Sequence, residues 1–157
     1  MMLSTEQKGP YENSKALEEL MTQMIETIPE LEDCEHFKIG LMYTNKSLSH
    51  GGRKVAARCS KVTAPVRFKT NLDYTIVVNS KSFFASTRDE QGATMIHELS
   101  HIKISEKSKN REILPALRPH EGDFCELPDH DRYSKGLYEK YANELTALKK
   151  VPLQEKL

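Results

Sequence analysis

The alternation of apolar and polar positions divides this 157-residue chain into successive zones. Leu17, Leu20, Met21, Met24, Ile25 and Ile28 recur at helical spacing and predict an amphipathic helix over Asn13 to Ile28. Asn13 or Ser14 can cap it, and Pro29 ends it, because the residue before a proline avoids the helical region. From Phe37 to about Asn79 the period falls to two. Phe37, Ile39 and Leu41 alternate as a first strand, and Asn45 to Gly52 reads as a loop or hairpin connection. Val55, Ala57 and Cys59 then share one face, and Lys54 and Arg58 the other. Val62, Ala64, Val66 and Phe68 continue the alternation after a change of phase, with Pro65 marking an edge strand. Asn71 to Asp73 breaks the pattern. Tyr74 to Asn79 is the most strand-like run, and its apolar centre predicts burial on both faces at the middle of a small sheet.

A helix is predicted to follow directly. Thr87-Arg88-Asp89-Glu90 fits a capping box, in which threonine and the glutamate three residues on satisfy orphan backbone donors. Ala93, Ile96, Leu99 and Ile102 form its core-facing stripe, with Asp89 and Glu90 in the first turn and Lys103 near the end, as the macrodipole prefers. Gly92 is a weak helix former there and suits close packing against a strand. Next come a polar connection, Ser105 to Arg111, and an irregular stretch from Ile113 to Asp131 containing Pro115, Pro119 and Pro128. Tyr133 to Leu148 predicts a closing helix with Leu137, Tyr141, Leu145 and Leu148 aligned. The expected organisation is one domain over residues 1–150 and a frayed tail over 151–157.

Composition narrows the class. Hydrophobic residues make up 38% and charged residues 29%, which suits a globular chain with one core. The formal net charge of +0 removes any global field towards nucleic acid or anionic membrane. Apolar runs are only a few residues long, and Met1 to Pro10 contains no apolar signal region, so a cytoplasmic protein is expected. Cys34, Cys59 and Cys125 are an odd, scattered set without a C-x-x-C pair, which favours reduced, buried thiols over a disulfide framework. Cys125 lies close in sequence to a candidate site residue.

The chemistry is concentrated in His97-Glu98-Leu99-Ser100-His101. Histidines four apart on a helix differ by about 40° in direction and about 6 Å along the axis. They can therefore share one tetrahedral zinc, while the adjacent glutamate reaches the water that zinc activates. Catalytic zinc takes three protein ligands. The best third candidate is His120, 19 positions beyond His101, in Arg118-Pro119-His120-Glu121-Gly122-Asp123-Phe124. Asp123 can hold its second nitrogen. Glu121, Asp123, Glu126 and His130 are alternatives. His36 and His50 lie in the sheet region and read as structural or solvated.

The runs Leu72 to Val78, Arg88 to Gln91, Ile96 to Ile102 and Leu117 to Phe124 together resemble the phage metallopeptidase family, and more distantly the SprT-like and YgjP-like groups. The resemblance spans about residues 37 to 127. It implies an α+β, minimal zincin-like domain: an N-terminal helix, a small mixed or antiparallel curved sheet, the HExxH active-site helix and a C-terminal helix. It also implies a third histidine ligand. The family pattern has aspartate directly after that histidine, whereas Glu121 stands there in this chain, with Asp123 nearby.

The expected activity is peptide-bond hydrolysis in the cytoplasm, in an infected host if the chain is phage-encoded. Zinc would be held by His97, His101 and His120, with Glu98 as general base. Arg118, His130, Tyr133 and Tyr138 are chemically able to stabilise the developing oxyanion. The second expectation is a non-enzymatic, zinc-stabilised phage protein that binds a host or phage macromolecule, protein or DNA. Arg53, Lys54, Arg58, Lys61, Arg67 and Lys69 would form its basic face on the hairpin. Glu98 separates the two readings, because a structural zinc needs no general base.

Overall fold

The structure is a computed structural model of the chain that describes residues 10–50, 52–108, 112–120 and 129–153. It is a mixed α/β domain built on a four-stranded sheet. The strands are β1 (Tyr11–Asn13), β2 (Ile39–Thr44), β5 (Ala57–Lys61) and β6 (Tyr74–Asn79), in the order β1-β2-β6-β5. β2 and β6 run parallel; β1 pairs with β2, and β5 with β6, antiparallel. β3 (Leu48–His50) and β4 (Arg53–Val55) form a separate hairpin with Gly52 at a φ of 81°, so a strand stands inside the stretch expected to be only a connection.

The first helix, α1 (Lys15–Thr27), starts where Ser14 accepts a hydrogen bond from the Leu17 backbone N–H. Its predicted stripe is its buried face: Leu17, Leu20 and Met24 are fully buried, as is Ile28 just beyond its end. They pack with Tyr74, Ile76 and Val78 of β6 and with Met95, Ile96 and Leu99 of the HExxH helix in one core. Each such apolar side chain contributes roughly 1.5–3 kcal/mol of burial free energy. β6 is central as expected, but only one of its faces is fully buried; Thr75 and Val77 on the other remain partly exposed.

Several elements differ from the sequence expectation. Residues 64–70 are not a strand but a helix, α2 (Ala64–Thr70), with Thr63 as N-cap and Pro65 in its first turn. A proline there forgoes an N–H that has no helical partner anyway. The apolar alternation serves no core, since Phe68 is 87% exposed. Asn71, at a φ of 62°, ends this helix, and Arg67 pairs with Asp73 at 2.6 Å. A short helix, α3 (Ser80–Ala85), precedes the HExxH helix, capped by the Asn79 side chain on the Ser82 N–H. Six residues are too few to carry a helical period.

The HExxH helix, α4 (Arg88–Ser100), has the full capping box between Thr87 and Glu90. It stops before Ile102 and Lys103, which belong to β7 (Ile102–Ile104), paired antiparallel with β8 (Pro115–Leu117). The last helix, α5 (His130–Tyr141), begins earlier than predicted and ends earlier. Two 3-10 segments, Ala142–Glu144 and Thr146–Lys150, continue the chain and still bury Leu145 and Leu148. Gly92 does permit close packing, against a helix rather than a strand. A Cβ there would lie 2.2 Å from the Tyr138 ring of α5.

The tail is not frayed where it is described. Val151 is buried, its carbonyl accepts from Arg88, and the Pro152 carbonyl accepts from Gln91. Residues 154–157 lie outside the described residues.

Candidate metal centre

α4 ends in the motif itself. His97 and Glu98 occupy its last turn, and His101 is the C-cap, its N–H bonded to the carbonyls of Glu98 and Leu99. The last carbonyls of a helix lack intrahelical donors. Here a returning residue meets the carbonyls at and just beyond this end. Arg118, directly after β8, donates its N–H to the His101 carbonyl at 2.8 Å and its guanidinium to the carbonyls of Ser100 and Ile102, both at 2.9 Å. The hairpin that delivers Arg118 is anchored by the sheet. The Tyr74 hydroxyl accepts from the Ala116 N–H at 2.9 Å and donates to a backbone carbonyl of the hairpin, with Ala116 O nearest at 2.7 Å.

This anchoring brings His120 to the helix. Its Nε2 lies 3.1 Å from His101 Nε2, which in turn lies 3.3 Å from His97 Nε2. Outer contacts fix the tautomers of the two helical rings. His101 Nδ1 is 2.6 Å from the Arg118 carbonyl, which can only accept, so Nδ1 carries the proton. His97 Nδ1 is 3.0 Å from Asp131 Oδ1 and donates to that carboxylate. Both Nε2 atoms therefore present lone pairs to one another.

Facing lone pairs repel unless a cation lies between them. Metal–nitrogen bonds of about 2.0–2.1 Å make the edge of a ligand tetrahedron about 3.3 Å, close to the observed separations. The residues fit a metal ion. Burial, and secondarily the neighbouring imidazoles, lower the pKa of His97 to about 3; burial also leads the lowering of His101 to about 4. The rings are thus kept neutral, as ligation requires.

Glu98 is only 6% exposed. Desolvation pushes its carboxyl up to about 8, against a stabilising hydrogen bond from the Cys59 backbone. That bond fixes how β5 meets the helix. The Val62 N–H bonds the Asp73 carbonyl and the Asn79 N–H bonds the Ala56 carbonyl, so the N–H groups of Ala57 and Cys59 point away from β6. The outer edge of β5 thus faces Glu98, and residues 56–59 line one wall of the cleft.

A fourth imidazole was foreseen only as one of several alternatives. His130, on the first turn of α5, stacks on His97 with ring centroids 4.1 Å apart. One nitrogen of each of His97, His101 and His130 lies within 4.8 Å of the others. The His120 approach to His101 is tighter, nearer to a ligand–ligand edge. His50 is not remote from the site either: it lines the cleft and its ring lies 4.7 Å from that of His120. His36 ends the 3-10 segment Pro29–His36 and is not in the sheet. Asp131, the outer partner of His97, had no sequence signal beyond lying next to His130.

Other expected residues divide. The Arg118 guanidinium is engaged by the carbonyls after α4, and Tyr138 packs over Gly92. Glu121, Asp123, Cys125 and Glu126 lie outside the described residues. Cys34 is buried, with its thiol 3.4 Å from the Leu99 carbonyl, and Cys59 is partly buried. The six basic residues do not form a single hairpin face. Arg53 and Lys54 are on β4, Arg58 and Lys61 on β5, and Arg67 and Lys69 on α2.

Comparison with known families decides the affiliation, because residues 9–148 match the family described as "Putative phage metallopeptidase". The chain belongs to that family. The match takes in the core helices, the sheet and every histidine of the cluster. No curated protein and no solved structure matches the chain. A metallopeptidase implies a metal ion and a protein or peptide substrate, and His97, His101 and His130 are close enough to hold one ion. No helix among the described residues is long and apolar enough to cross a membrane.

Proposed function

We propose that this protein is a zinc-dependent peptidase in which His97, His101 and His120 hold the ion and Glu98 is the general base. The observation that carries this reading is the pair of opposed Nε2 lone pairs beside a buried carboxylate. Three neutral imidazoles suit zinc among the borderline divalent metals. A zinc ion held there supplies a Lewis acid for water and for the scissile carbonyl.

The remaining work belongs to the chain's own residues. Glu98 takes the proton of the attacking water and returns it to the leaving amine nitrogen. Asp131 and the Arg118 carbonyl hold the two helical rings in the tautomer that leaves Nε2 free to bind. The outward backbone groups of Ala57 on β5, next to the Cys59 N–H that holds Glu98, offer an extended substrate an edge to pair with. The basic residues are a weaker basis for a nucleic-acid role, because they are spread over separate elements and Arg67 is neutralised by Asp73.

Glu98→Gln tests the reading. The variant should keep about one zinc per chain while its cleavage of an unfolded protein falls roughly 10²- to 10⁴-fold. Undiminished cleavage would overturn the assignment.

A further inference from the structure

We propose that His130 is a fourth ligand of the same ion, binding through Nδ1 and closing the coordination in the substrate-free protein. The inference rests on the metal-site reading above and extends it. His130 is 4% exposed, and its two nitrogens have opposite roles. Nε2 lies 3.1 Å from the His97 carbonyl, which can only accept, so Nε2 carries the proton and Nδ1 the lone pair. That Nδ1 is fully buried and has no hydrogen-bond partner. A buried acceptor left unmade costs about 1–3 kcal/mol, so its position calls for a partner.

The surroundings define that partner. The His130 ring stacks on His97 and lies with its centroid 4.5 Å from the ring of His101. One nitrogen of His130 lies within 4.8 Å of a nitrogen on each of His97 and His101, and a buried lone pair that finds no donor there suits a cation. The same tautomer excludes the oxyanion-donor role expected for His130, because the nitrogen that could donate is already bonded to His97. Ser134 adds a local brace, since its hydroxyl donates to the His130 carbonyl at 2.9 Å. The first turn of α5 thus provides both Asp131, which orients one ligand, and His130, which is another.

Four protein nitrogens leave an ion no position for water. Were all four bound, the ion would open to water only where His130 gave up its Nδ1 contact, so His130 would control access to the centre. This makes His130 a latch on the centre rather than part of the bond-breaking machinery.

The test uses the full chain labelled with 15N-histidine and loaded with 113Cd. Scalar coupling to cadmium should appear at the Nε2 of His97, His101 and His120 and at the Nδ1 of His130. A His130→Ala variant should keep the three Nε2 couplings and lose only the fourth. Coupling at the three Nε2 atoms with none at His130 would overturn the latch and leave the peptidase reading intact. Loaded protein with no coupling to any histidine would overturn both. Because the unsubstituted chain carries the deciding signal, the result does not depend on the variant folding.

Discussion

The imidazoles on α4 and those from outside it reach the same point by different physics. His97 and His101 are placed by the helix itself, and every local signal around them agrees: a capping box, acidic residues in the first turn and an apolar face of Met95, Ile96 and Leu99. His120 and His130 are placed by contacts between segments far apart in sequence. His120 depends on Tyr74 gripping the β7–β8 hairpin and on Arg118 closing the end of α4. His130 depends on α5 lying close enough to α4 for a tyrosine ring to rest on a glycine. A helix can present two ligands unaided; the rest of the fold supplies what makes them a site.

The largest break in this comparison comes from the helical pair. His101→Ala removes the ring shared by both short nitrogen contacts, and metal content should fall from about one ion per chain to near zero by elemental analysis. His120→Ala should bind measurably but more weakly, because the helical pair survives. Equal loss in the two variants would erase the distinction between the pairs.

Gly92→Ala attacks the helix–helix contact. The added methyl overlaps the Tyr138 ring, and the overpacking should cost about 1–3 kcal/mol, reduced by alanine's better helix propensity. Urea unfolding measures the cost, and a metal titration of the same variant should show weaker binding as α5 is displaced. Unchanged stability would mean that Tyr138 swings aside freely.

Asp131→Asn keeps the shape of the outer partner of His97 but removes its charge. Metal affinity, measured by chelator competition, should fall about 10- to 100-fold with little change in unfolding midpoint. Tyr74→Phe is the mildest change. Loss of the hydroxyl leaves the Ala116 N–H without its acceptor and should cost about 1–2 kcal/mol. The accompanying prediction is faster backbone hydrogen exchange in β7 and β8 than in α4.

The same division explains what the sequence revealed. α1, β6, the start of α4 and the His97–Glu98–His101 group were legible because period, cap and motif all lie within a few residues. The 19-residue spacing and Pro119 pointed to His120, but the hairpin that returns it was read as irregular, since three-residue strands carry almost no period. α2 departs from its sequence pattern for the opposite reason: Val62, Ala64, Val66 and Phe68 alternate perfectly well, yet no core stands behind Phe68. In the sequence His130 is only one of several alternative ligands and Asp131 carries no signal, because the contacts of both come from α5 packing across α4, which no window along the chain contains.

Asp131 has one more consequence. Its side chain is 91% exposed even though it fixes the orientation of a ring that is largely enclosed. A charge standing in open solvent is attenuated by dissolved ions over a Debye length of about 8 Å at physiological ionic strength. Across the 3.0 Å contact to His97 that attenuation matters only when the Debye length itself shrinks to about 3 Å, at about 1 M salt, so the centre's hold on its ion should loosen in concentrated brine and change little between dilute and physiological buffer.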